Sequence, residues 1–182
     1  MKRAYISSLI VPIETHMTIN NTPTVLFDKF KILGEQVPKI SKITDTLYLS
    51  SKYFTENDLR KLEITHILNI SNEEDKDYPG IKSLFININD NEYNNNDNSI
   101  DNYFSMTYNY IQEVINTNGR VLVHCNMGIS RSPTIIISYL MKSLQKPYDE
   151  ILEFVKLKRP IIEPCLIFEI ILLEYQKKIG IS

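Results

Sequence analysis

The sequence predicts one α/β domain behind an N-terminal extension. Short runs of β-type residues (Leu47–Leu49, Thr65–Ile70, Ile81–Asn89, Val121–Val123) alternate with stretches whose apolar residues recur at helical spacing. The chain has 182 residues, 43% hydrophobic and 23% charged, enough for one domain with a proper core and little more. A third observation sets the boundary: residues 1–40 carry Pro12, Pro23 and Pro38 and no sustained period, so the domain is assigned to 41–182.

Each element has a local reason. Ile43 and Leu47-Tyr48-Leu49 flank Asp45-Thr46, a small hairpin or strand edge. Thr55 stands three residues before Asp58, a capping-box start for a helix through Glu63. Thr65–Ile70 is a buried strand, on which His66 is structural. The charged run Glu73–Asp77 and then Tyr78-Pro79-Gly80 make a loop. Ile81–Asn89 alternates, with Leu84, Ile86 and Ile88 on one face. Residues 89–98 are rich in Asn and Asp and form a solvated loop.

Ile100, Tyr103, Phe104, Thr107, Tyr108, Ile111, Val114 and Ile115 then share one helical face, ended by Asn118-Gly119. After Pro133 come Ile135, Ile136, Ile137, Tyr139, Leu140, Met141 and Leu144, apolar nearly all round, as in a buried central helix. This β-branched run fits a strand equally well; Pro133, placed at the first helical position, points to a helix, and the resemblance described below completes that choice. Tyr148–Leu157 is amphipathic and stops at Lys158-Arg159-Pro160. Pro164 opens a last helix, with Leu166, Ile167, Ile170, Ile171, Leu173 and Tyr175 directed inward.

The chemistry concentrates in Arg120–Thr134, RVLVHCNMGISRSPT. A strand ends at Cys125, a tight loop follows, and a helix begins near Arg131. Such a loop aims backbone N–H groups at one point, and the helix dipole adds positive charge there. Gly128 permits a conformation closed to other residues, and Arg131 offers a planar fork that matches two phosphate oxygens. The same field favours the thiolate of Cys125, and Ser132 is placed to hydrogen-bond the sulfur.

This stretch resembles the signature loop of the cysteine-dependent protein tyrosine phosphatase superfamily, H-C-x5-R-S/T, here His124, Cys125, residues 126–130, Arg131 and Ser132. HCNMGISRSP with Ser138-Tyr139-Leu140-Met141 behind it, and LYLSS…NDLRKLEITHILNIS before it, are similar to the dual-specificity phosphatase branch. The resemblance runs from about residue 41 to about 178. It implies a central, mostly parallel sheet of about five strands with helices on both faces. It also implies hydrolysis of phosphotyrosine and phosphoserine/phosphothreonine through a cysteinyl-phosphate. Cys125, Arg131, Asp90 and Ser132 are then catalytic; Asn126, Met127, Gly128, Ile129, Ser130 and Arg131 hold the phosphate; His124 orients the loop.

A thiolate expels an alkoxide only if an acid protonates it. In the resembling family the acid is an aspartate after a strand, some thirty to forty residues before the cysteine. Asp90 and Asp97 lie there, with Asp101 a distant third. Asp90 directly follows the strand and matches the family's position; extra Asn residues before Tyr103 leave Asp97 as the alternative. The family often has Pro-Asn where this chain has Pro164-Cys165, and Cys165 reads as an inert packing thiol.

The net charge of −2 points to no nucleic-acid or membrane partner, and no span is long and apolar enough to cross a bilayer. No metal or other cofactor is required; the expected partner is a phosphorylated protein. Two cysteines make no disulfide framework, and a reactive thiolate needs a reducing compartment, so the expected location is the cytoplasm, with the nucleus also open to it. Two rival readings are a lipid or RNA 5′-phosphatase and a non-catalytic module that binds phosphoproteins. The former families place basic residues inside the loop, and residues 126–130 have none; the latter would lose the cysteine or the acid.

Overall fold

The computed structural model describes residues 37–88 and 99–181. Five strands, β1 (Ile40–Lys42), β2 (Leu47–Ser51), β3 (His66–Ser71), β4 (Lys82–Asn87) and β5 (Val121–Cys125), form one sheet in the order β1-β2-β5-β3-β4. β1 and β2 are the expected hairpin, antiparallel; every other pair is parallel. The helices are α1 (Glu56–Lys61), α2 (Phe104–Asn116), α3 (Arg131–Leu144), α4 (Tyr148–Lys158) and α5 (Leu166–Lys178), with a 3-10 turn over Ile100–Tyr103.

Side chains alternate across the pleat, so each central strand feeds two cores. Leu47, Leu49, Leu68, Ile70, Val121 and Val123 pack with residues of α2 to α5. Tyr48, Ile67 and Leu122 face the other way, onto Phe54, Leu59, Ile64 and Tyr78 around α1. The sheet is thus covered on both faces. α1 starts as its sequence requires: Thr55 accepts the Asp58 N–H, and the Asp58 carboxylate accepts the Thr55 N–H. It ends at Lys61, short of the expected Glu63, which has a left-handed φ of 54°.

α3 is buried along Arg131–Met141, as its apolar circumference predicts. Each buried isoleucine there contributes about 1.5–3 kcal/mol of transfer free energy. The helix opens two residues before Pro133, which therefore occupies the third helical position. Proline is accepted there because none of the first-turn N–H groups has an intrahelical acceptor.

The phase of α5 differs from the expectation. Phe168 and Leu172 are its buried residues, whereas Leu166, Ile170 and Leu173 are exposed. Apolar residues fall on nearly every side of the helix, so its sequence carries little phase; Phe168 and Leu172, four residues apart, take the core positions.

Candidate active site

β5 is central in the sheet, and Cys125 is its last residue, paired in register with Ser51 at the end of β2. The carboxyl ends of parallel strands are where α/β sheets hold ligands. Residues 126–130 bridge from there to the first turn of α3. The Cys125 sulfur is buried and accepts two hydrogen bonds, from the Gly128 N–H at 3.2 Å and the Ser132 hydroxyl at 3.2 Å. Donors to sulfur stabilise its anionic form.

The loop's carbonyls are engaged on their other side. Asn126 O accepts the Lys52 N–H at 3.3 Å, and Ile129 O accepts the Glu163 N–H at 2.8 Å. Gly128 O accepts Arg159 Nε at 3.0 Å, and Ser130 O accepts the Thr134 N–H and hydroxyl. All described peptide bonds are trans, so each carbonyl points opposite to the N–H of the next residue. Fixing the carbonyls of 126, 128, 129 and 130 therefore turns the N–H groups of 127, 129, 130 and 131 away from those partners. Backbone donors freed in this way suit an oxyanion cradle.

Gly128 is indispensable to this path. Its φ is +65°, and a Cβ there would lie 2.5 Å from Ser50 O and 2.7 Å from Ser51 N, both backbone atoms. The loop rests directly on β2.

Arg131 is buried at the first helical position, its Nη1 donating to Ile88 O at 2.8 Å. Ile88 directly follows β4, so this bond ties the end of β4 to the first turn of α3. His124 is buried in β5; its Nε2 meets Asp75 Oδ2 at 2.7 Å, and the ring of Phe54 packs edge-on at 5.0 Å. An ionised carboxylate only accepts, so Nε2 carries the proton. Ser130 Oγ accepts the N–H of Cys165 at 3.1 Å, so the Pro164-Cys165 departure is met by a backbone donor, and the Cys165 side chain packs against the core.

The structure thus brings together Cys125, Ser132, Arg131, His124 and the loop 126–130. Asp90 and Asp97 lie outside the described residues. Asp101 sits on the 3-10 turn, accepts the Ser99 hydroxyl, and lines a cleft between α2 and α5 with Phe104 and Tyr175. His66 is structural as expected, its Nδ1 2.8 Å from Thr65 Oγ1. Two residues escaped sequence reasoning. Asp75 is one charge in a charged run, and Arg159 was legible only as a helix terminator. Neither has a local signal, because their partners lie 49 and 31 residues away.

A cysteine closing the central parallel strand, a backbone anion cradle and an arginine at the helix entrance define the phosphatase version of the α/β fold. The chain belongs to the family described as the dual specificity phosphatase catalytic domain, whose profile matches residues 47–178. Among its relatives, Protein phosphatase Slingshot of Drosophila melanogaster is 36% identical over 135 residues, 73% of this chain and 12% of that protein. Dual specificity protein phosphatase 1 of Homo sapiens is 34% identical over 143 residues, 76% of this chain and 37% of that protein. The chain therefore matches only a part of these longer relatives. Of solved structures, the human tyrosine phosphatase-like serine/threonine/tyrosine-interacting protein is similar with a TM-score of 0.69 at 29% identity, over 76% of this chain and 96% of that one.

Proposed function

We propose that the domain hydrolyses phosphate monoesters of phosphorylated proteins in two steps. The Cys125 thiolate attacks phosphorus in line, forming the S–P bond as the P–O bond to the leaving group breaks. The N–H groups of the loop and the Arg131 guanidinium hold the three equatorial oxygens, where charge builds in the transition state. Asp90 donates its proton to the leaving oxygen. Its carboxylate then takes a proton from water as the water oxygen bonds to phosphorus and the S–P bond breaks. The Ser132 hydroxyl stabilises the departing thiolate, and His124 holds the end of β5 beneath the loop.

The observation that carries this reading is the Cys125 sulfur under two donors, Gly128 N–H and Ser132 Oγ, at the mouth of the cradle. The Asp90 assignment is supported by its place in the sequence directly after the strand pattern, the position of the acid in the resembling family. The lack of basic residues within 126–130 favours a protein phosphomonoester over polyphosphorylated lipids or RNA ends, and family resemblance extends it to phosphotyrosine, phosphoserine and phosphothreonine. The thiolate's need for a reducing environment supports a cytoplasmic or nuclear setting.

The test is turnover of an aryl phosphate and of phosphopeptides by the parent chain, with Cys125→Ser as the control. Turnover abolished in the control is the expected result; equal turnover, or none by the parent, rejects the reading. Asp90→Asn is expected to lose activity most steeply for alkyl phosphates, whose leaving groups need the proton. If Asp97→Asn alone does so, the acid is Asp97.

A further inference from the structure

Arg159 lies outside the signature loop, one residue beyond α4, yet its side chain is built into the site's foundation. It is 2% exposed. Nε donates to Gly128 O at 3.0 Å, and Nη1 donates to Pro38 O at 3.1 Å and to Ser41 Oγ at 3.3 Å. All three acceptors are neutral, and among the described residues Arg159 forms no ion pair with a carboxylate. A buried guanidinium without a counter-ion is costly, so something must offset it. Burial lowers its pKa to about 10, with the negative charge of Cys125 acting in the opposite direction. Among the described residues, the anion placed to compensate it is the Cys125 thiolate, and after substrate binds, the phosphate.

We propose that Arg159 is a positioning residue for the phosphate cradle: it anchors the Gly128 carbonyl so that the following N–H faces the phosphate, and sets a second fixed positive charge behind the sulfur. The division of labour with Arg131 follows from geometry. Arg131 enters from α3 and is held by Ile88, just after β4; Arg159 comes from the far side of the loop, held by Ser41 of β1 and by Pro38, two residues before that strand. Gly128 is thereby clamped at both its polar groups, its N–H on the Cys125 sulfur and its carbonyl on Arg159. A peptide at φ +65° against the β2 backbone has no side chain of its own to hold it, and these two bonds supply the restraint. Arg159 thus reaches the sulfur's surroundings through Gly128, the residue whose N–H the sulfur accepts.

The proposal rests on the phosphatase reading, and the experiment separates the two. Turnover of an aryl phosphate by the parent chain, absent in Cys125→Ser, first establishes that reading; its failure there is a failure of the reading and not of the role of Arg159. Arg159→Lys and Arg159→Met are then compared with the parent for tungstate inhibition, for kcat and KM, and for the pH profile of iodoacetamide alkylation at Cys125. Arg159→Met is expected to weaken tungstate inhibition and lower kcat/KM about tenfold or more, the penalty of a displaced cradle. The midpoint of its alkylation profile is expected to rise by about half a pH unit or more, because a positive charge near the sulfur is gone. Arg159→Lys is expected to restore the alkylation profile more fully than kcat/KM, since it returns the charge without the fork that fits Gly128 O. A folded Arg159→Met with the parent's tungstate inhibition and alkylation profile overturns the proposal. If Arg159→Met does not fold, Ser41→Ala, which frees one arm of the guanidinium and keeps its charge, decides: weaker tungstate inhibition with the alkylation midpoint unmoved supports the role, and parental inhibition overturns it.

Discussion

Nε2 of His124 donates to the carboxylate of Asp75 across 2.7 Å, joining the residue before the nucleophile to the loop that follows β3. The histidine side chain is 1% exposed and the aspartate 17%, so this pair is largely withdrawn from water. Removing the acceptor leaves a buried ring N–H unsatisfied, which costs about 1–3 kcal/mol. Asp75→Ala is therefore expected to lower the stability measured by urea unfolding by that amount and to reduce kcat/KM as β5 loosens under the cradle. Asp75→Asn keeps an oxygen acceptor and is expected to fall between parent and Asp75→Ala on both measures.

Gly128→Ala tests whether the cradle is a backbone device. The new methyl would sit 2.5 Å from Ser50 O, and left-handed φ costs a non-glycine residue about 1–2 kcal/mol. The loop must move, so kcat/KM for an aryl phosphate is expected to drop by about a hundredfold or more while far-UV circular dichroism stays parental.

Asp58 governs a local acid sensitivity. Its carboxyl is held down at about 2 by the Thr55 hydroxyl first, then by Lys39 and the Thr55 N–H. A depressed carboxylate contributes stability above its unfolded value of about 3.9, and loses it as pH falls through the folded value. The pair is partly solvated, so the contribution is about 1 kcal/mol or less. Asp58→Asn is expected to be less stable than the parent at pH 6, with the gap closing between pH 4 and pH 2. A gap that widens on acidification would contradict this.

The observed phase of α5 has a consequence for stability. Phe168→Ala is expected to cost about 3–5 kcal/mol and Leu172→Ala about 2–5 kcal/mol. Leu166→Gln and Ile170→Gln, on the exposed side, are expected to stay within about 0.5 kcal/mol of the parent. Thermal or urea unfolding distinguishes the two sets.

The site was legible where its parts are contiguous in sequence. Strand, nucleophile, glycine, arginine and serine all fall within 121–132, and local rules of strand, loop and helix entry place them. The hairpin at Ile40–Leu49 and the Thr55–Asp58 cap were legible for the same reason. The partners of His124 and Gly128 were not, because Asp75 and Arg159 are brought there by strand order rather than by local spacing. The helix entrance at Arg131 was legible, but Pro133 takes the third position and not the first, because proline is accepted throughout a first turn. The α5 face was lost because its apolar residues run round nearly the whole helix and its polar ones gather towards its C-terminal end, so no polar side orients it.

The central claim is that Cys125 carries the phosphoryl group between the two steps. Ser132→Ala removes the 3.2 Å hydrogen bond that stabilises the departing thiolate, worth about 1.5–3 kcal/mol to a charged acceptor, so breakdown of the intermediate slows by about 10–100-fold. Acid quenching of this variant during aryl phosphate turnover, followed by peptide mass spectrometry, reads the intermediate directly. The expected result is a phosphoryl adduct on the peptide bearing Cys125, formed together with a burst of about one equivalent of the aryl product. Turnover with that cysteine unmodified, or an adduct on another residue, would contradict it.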